Sequence, residues 1–194
     1  MYNISKIEDA VQGYICITVS IDGENRRYTV RTSVYEEIGM PHKGALIDED
    51  AFYAITLGDE YYRAKRAALS ILSYGDNNEK TLHTKLRTRG ISDEVAIDVV
   101  HEMVSLGYID ERRQLERLIT EEANRKLRGP RKILPHLMSK GYRSSDIKSV
   151  LSSLCDSGEI NFEENKERLL DKHLGDSRDT EAVKKLLYKH GYNI

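Results

Sequence analysis

The residues best able to do chemistry in this chain are cations. Arg125, Lys126, Arg128, Arg131 and Lys132 fall within eight positions, separated by Leu127 and Gly129-Pro130, and Lys140, Arg143 and Lys148 follow. Guanidinium forks and ammonium groups gathered at a helix junction can meet phosphate or carboxylate oxygens in one patch. Arg125, Lys126, Arg128, Arg131, Lys132, Lys140 and Arg143 are therefore the candidate contacts for a partner protein or a nucleic acid. The same run also fits long solubilising side chains on exposed helices, which charge runs commonly are.

Bond-making chemistry finds less support. The chain has no Gly-x-Ser-x-Gly elbow, no phosphate loop ending in Lys-Ser or Lys-Thr, and no Gly-x-Gly-x-x-Gly. His101-Glu102 opens like a zinc-protease helix, but Ser105 stands where the second histidine belongs. The remaining histidines lack partners at ligand spacing. Glu121-Glu122 and Glu163-Glu164 read as solvated helix faces rather than catalytic pairs. The expectation is a protein without catalytic residues, metal or cofactor. Cys16 and Cys155 lie far apart and outside any redox doublet, so both read as reduced packing residues.

Charge is nearly balanced, with 30 basic and 32 acidic residues, but it is unevenly placed. Residues 1–60 carry 5 basic and 11 acidic groups, and residues 111–148 carry 11 and 5. A sequence pI near 6.3 argues against indiscriminate coating of DNA, whereas the local positive block permits contact with phosphate or an acidic groove. No stretch approaches the ~20 apolar residues of a spanning helix, and the amino terminus lacks a secretory pattern. These features point to a cytoplasmic protein with no membrane contact.

The elements that must position the cations are legible from periodicity. Ile15, Ile17, Val19 and Ile21 alternate along an extended run, Asp22-Gly23 suits a tight turn, and Arg26 to Arg31 alternates again, which predicts a β-hairpin. A strand near residues 4–11 can join it, a short helix fits Ser33 to Met40, and a further helix opens at Asp48-Glu49-Asp50. From about Tyr61 apolar residues return at helical spacing. Leu86 to Gly90-Ile91 recurs as Leu137 to Gly141-Tyr142 and as Leu187 to Gly191-Tyr192, at offsets of 51 and 50. The fold class expected is mainly α: tandem three-helix repeats, preceded by a small acidic module containing the hairpin. The divisions expected are 1–60 for that module, then repeats over 61–109, 110–160 and, cut short, 161–194. Ser92 and Ser144-Ser145 are expected to supply cap oxygens, and Asp110 and Asn161 to open further helices. Pro135, five residues after Pro130, predicts a kink or a later helix start.

Gly107-Tyr108-Ile109-Asp110-Glu111, followed by Arg125-x-x-Arg128-Gly129-Pro130-x-x-Ile133-x-x-x-Leu137-x-x-Lys140-Gly141-Tyr142, resembles the RecX family, bacterial regulators of the RecA recombinase. Ile4-Ser5-Lys6-Ile7, Ser20 to Glu24 and Lys43-Gly44 are similar to the amino-terminal extension of longer members. The resemblance implies tandem three-helix repeats and binding along the RecA filament on single-stranded DNA. It implies inhibition of RecA's ATPase, strand-exchange and coprotease activities, and with it a part in DNA repair and the SOS response. A monomer with at most weak direct DNA binding is expected.

Two other classes stay open. Three-helix units with tight turns also suit a sequence-specific helix-turn-helix protein, although Asp93, Glu94, Asp98 and Glu102 in one candidate recognition helix would repel phosphates. A general helical-repeat adaptor for another protein is the third reading. Footprinting on duplex DNA separates the first alternative, and the partner recovered from lysate separates the second.

Overall fold

The structure, a computed structural model, describes residues 2–175 and 179–193. It is mainly helical, with a small antiparallel sheet at the amino terminus. The described chain divides into two compact units, residues 2–77 with 82–108, and 78–81 with 109–175 and 179–193.

In the first unit, strands β1 (Tyr2–Asp9), β2 (Tyr14–Ile21) and β3 (Glu24–Arg31) are followed by α1 (Thr32–Glu37) and a two-residue strand β4 (Leu46–Ile47). The sheet order is β3-β2-β1-β4. The expected hairpin is present, with Ile15 opposite Val30 and Ile17 opposite Tyr28. Asp22 and Gly23 turn it with φ of 51° and 88°, the paired positive values of a type I′ turn. Ile4, Ile17, Val19 and Val30 form a core with Ile55, onto which Tyr2, Tyr28 and Phe52 pack.

Ile55 comes from α2 (Glu49–Ser73), a helix about 37 Å long by its rise per residue. Asp48 caps it by accepting from the Ala51 amide at 2.8 Å. α2 runs unbroken through residue 60. Its early turns bury Ile55 against the sheet, and its later turns bury Ala64, Ala68 and Ile71, so one apolar stripe supports both the sheet and the helices that follow. Thr29 on β3 donates its amide to Asp59 of α2 at 2.8 Å. α3 (Glu79–Thr88) and α4 (Asp93–Ser105) bury Leu82, Leu86, Val95, Val99 and Met103.

The second unit carries α5 (Glu111–Thr120), a π-helical turn at Glu121–Arg125, α6 (Pro130–Ser139), α7 (Ser144–Asp156), α8 (Phe162–Leu174) and α9 (Thr180–His190). Leu115, Ile119, Ala123, Ile133, Leu137, Ile147 and Val150 share its main core. Asp110 and Asn161 cap α5 and α8 as expected. Arg143, not serine, holds the cap position of α7, and Ser92 at the start of α4 makes no cap bond. The Ser92 amide and hydroxyl both donate to Glu60, at 2.6 and 3.1 Å, because the carboxylate of α2 outcompetes the local cap. α6 begins at Pro130, where the absent N–H costs nothing, and keeps Pro135 within its ten residues.

Candidate functional site

The basic run sits where α5 gives way to α6. α5 buries Gln114, Leu115 and Ile119, and continuing that stripe places Ala123 inside. The π turn closes with the Lys126 amide donating to the Glu121 carbonyl at 3.1 Å, one residue wider than an α turn. The extra residue turns Glu122 inward, and it is only 2% exposed. Its carboxylate accepts from Lys126 Nζ at 2.7 Å and from Arg128 Nη1, with His136 Nε2 at 3.6 Å. Burial pushes this carboxyl up, but the Lys126 hydrogen bond together with the charge and hydrogen bond of Arg128 outweighs it, and the group stays below its usual range.

Leu127 divides the two cations. It takes the left-handed conformation at φ 52°, uncommon for a branched side chain, and buries itself with Leu169 of α8 and Tyr192. Lys126 and Arg128 can both reach Glu122 because the residue between them points into the core. Next to them the Gly-Pro pair receives the end of α9. The Gly129 amide donates to the His190 carbonyl at 2.8 Å and the Arg131 amide to the Gly191 carbonyl at 3.2 Å. A methyl group on Gly129 would lie 2.6 Å from the Gly191 carbonyl carbon, so close approach of two backbones requires glycine here. Arg131 lies over the Tyr188 ring at 5.7 Å, a long cation–π contact.

The structure sorts the seven candidate residues. Arg125, Lys126, Arg131, Lys132, Lys140 and Arg143 are exposed, and Arg128 is half-buried. Lys126 and Arg128 are committed to an internal carboxylate. Arg125 has no hydrogen-bond or ion-pair partner among the described residues. Lys140 and Arg143 sit at the far end of α6, about 14 Å from Arg131 by helical rise. There the Lys140 carbonyl accepts from Asn78 Nδ2 at 2.9 Å, and Arg143 lies near enough to Glu111 to act on its carboxyl. The cations therefore form two groups, one at each end of α6.

Sequence reasoning missed the two carboxylates that organise charge in this chain. Glu122 is buried rather than solvated, and the Glu122–Lys126 spacing of four was its available signal. Glu102, expected to face outward, accepts from Tyr61 at 2.6 Å, Arg31 at 2.8 Å and Lys65 at 3.0 Å. Its strand partner Arg31 is remote in sequence, so no local pattern marks the pair. Burial pushes Glu102 up, and the Tyr61 and Lys65 hydrogen bonds with the Arg31 charge bring it below the usual range. Asp93 pairs with Arg87 at 3.4 Å, which leaves Glu94 and Asp98 as the outward acids of α4. Cys16 is buried as expected, whereas Cys155, near the end of α7, is exposed. Among the described residues no group of His, Cys, Asp and Glu could hold a metal ion, and no helix is long and apolar enough to cross a membrane.

No protein-family model matches the chain. Curated relatives do. The chain is 29% identical over 169 residues to the regulatory protein RecX of Clostridium acetobutylicum, covering 87% of this chain and 77% of that protein. It is 25% identical over 181 residues to that of Caldanaerobacter subterraneus subsp. tengcongensis, covering 91% and 87%. Against the Bacillus licheniformis protein it is 24% identical, and it spans 59% of that relative's length. Among solved structures, a crystal structure of regulatory protein RecX has the same fold with a TM-score of 0.73 at 24% identity, covering 100% of this chain and 95% of that one. The crystal structure of RecX from Lactobacillus salivarius gives a TM-score of 0.59 at 22% identity, covering 70% and 90%. The sequence relatives, the shared fold and the motif series around Gly129-Pro130 agree in making this chain similar to proteins named regulatory protein RecX.

Proposed function

We propose that this chain is a regulatory protein that binds the RecA nucleoprotein filament and restrains its ATPase, strand-exchange and coprotease activities. The observation that carries the reading is the likeness to proteins named regulatory protein RecX over most of the chain. The charge geometry supplies a mechanism without a bond made or broken. Arg125, Arg131 and Lys132 at one end of α6, and Lys140 and Arg143 at the other, present exposed cations to acidic protein surface or DNA phosphate. A protein lodged there impedes subunit movement or monomer addition, which slows ATP turnover without contact with nucleotide.

The tandem arrangement belongs to the same proposal: three-helix units over 61–109 and 110–160 and a further one beginning at 161. Gly90, Gly141 and Gly191 support it, since each follows a helix with φ between 82° and 101°, the conformation that ends a helix at equivalent places. The amino-terminal module and the monomeric state complete the proposal.

The test is RecA ATPase on single-stranded DNA with substoichiometric amounts of the protein. Inhibition well below one copy per RecA supports the reading, and unchanged turnover at every ratio rejects it. The informative variant is Arg125→Glu with Arg131→Glu and Lys132→Glu, because Arg128 also serves the fold through Glu122.

A further inference from the structure

The first unit holds a cleft of 390 Å³ that the α6 cations do not explain. Its walls are apolar, formed by Val34 of α1, Ala54, Leu57 and Gly58 of α2, and Val95 of α4. Tyr53 stands at its edge, 62% exposed. Tyr61 and Arg31 also line it, and the Arg31 guanidinium is already engaged by Glu102. Three carboxylates line the opening, Glu37 of α1 and Glu94 and Asp98 of α4. All three are exposed, and none has a hydrogen-bond or ion-pair partner among the described residues.

An occupant must match both halves of this environment. The apolar walls favour an aliphatic stem, and the acidic opening favours a cationic head, with the Tyr53 ring available to a cation. Nucleic acid and acidic peptides are repelled by Glu37, Glu94 and Asp98. A volume of this size is at the lower end of ligand pockets and accommodates one long side chain with part of a flanking residue.

We propose that this cleft is a docking site for a lysine or arginine side chain presented by the protein surface of the RecA filament. The assignment rests on the proposed function above and gives recognition two arms of opposite charge: α6 cations for acidic groups, and the cleft for a base.

The sign of one mutational effect decides the matter. Glu37→Gln with Glu94→Gln and Asp98→Asn moves the formal net charge from -2 to +1. If the acids act only through the overall field of the protein, this change tightens association with a polyanionic filament. If they hold a cationic side chain, it weakens association, by about tenfold for one cation losing three exposed carboxylates. Co-sedimentation with RecA filaments on single-stranded DNA reads the difference. Weaker pelleting of the triple variant at unchanged melting temperature supports the cleft, and unchanged or tighter pelleting overturns it. Wild-type protein that stays in the supernatant rejects the proposed function and the cleft's assignment with it. A second arm uses the full chain alone, with backbone amide NMR during titration with N-acetyl-arginine amide into the range of tens of millimolar, suited to about millimolar affinity. Shifts confined to the amides of Val34, Gly58, Val95 and their neighbours support the site, and their absence overturns it.

Discussion

Replacing Gly129 by alanine isolates the structural role of the Gly-Pro pair from the role of the cations around it. Gly129 has φ −81°, which alanine adopts freely, so the whole effect is steric. The new methyl carbon would lie 2.6 Å from the Gly191 carbonyl carbon and 2.9 Å from the Tyr192 nitrogen, against roughly 3.5–4.0 Å for relaxed contact. The carboxyl-terminal turn must withdraw by about 1 Å. That stretches the 2.8 Å and 3.2 Å hydrogen bonds from the Gly129 and Arg131 amides, about 1 kcal/mol each. It also lifts Tyr192, now 1% exposed, out of its packing with Leu127 and Leu169, for a further 1–2 kcal/mol or about half of a large side chain's burial. The expected loss is about 3–4 kcal/mol, felt first at α9. Urea unfolding followed by circular dichroism reads the total, and amide hydrogen exchange reads α9 separately. Wild-type unfolding midpoint with unchanged α9 protection in Gly129→Ala would refute the reasoning.

Further outcomes follow from the same geometry. The Arg125→Glu, Arg131→Glu, Lys132→Glu variant should keep its melting temperature within about 2 °C while losing co-sedimentation with RecA filaments, because these side chains lie exposed. Glu122 should set an acid limit. Its carboxyl is held below the ordinary 4.5, so its stabilisation is complete above that value and is lost as pH falls through the lowered one; urea midpoints of wild type should drop in that window, and those of Glu122→Gln should start lower and fall less. His190 titrates in the opposite chemical sense. Burial, with His173 and Lys132 nearby, lowers it from 6.5 despite a hydrogen bond to the Leu127 backbone, so folding favours the neutral ring. Docking of α9 should be strongest above 6.5 and weaken as pH falls below it, seen as faster α9 exchange after correction for intrinsic rates.

Much of the architecture is written locally. The hairpin follows from alternation around Asp22-Gly23, and the ends of the helices from Gly90, Gly107, Gly141 and Gly158, all at positive φ. Asp48, Asp110 and Asn161 cap the helices they precede because a short side chain reaches amides two or three residues on, which sequence alone displays. The serines at 92 and 144 show the limit of such reasoning. Ser92 has the right chemistry for a cap, but a carboxylate 32 residues away claims its donors.

The candidate site divides in the same way. Residue type and spacing determined that the centre of this chain is cationic, that helices flank it, and that a turn containing Gly-Pro lies between them, since each of those depends on neighbours within a few positions. Only the tertiary structure decided which cations remain for a partner. A buried charge must find its partner wherever the packing puts one, so Glu122 takes Lys126 and Arg128, and Glu102 takes Arg31 from a strand 71 residues away. Gly129 is held by the backbone of Gly191, and Glu37 meets Glu94 and Asp98 around one cleft, through contacts between segments that share no local pattern.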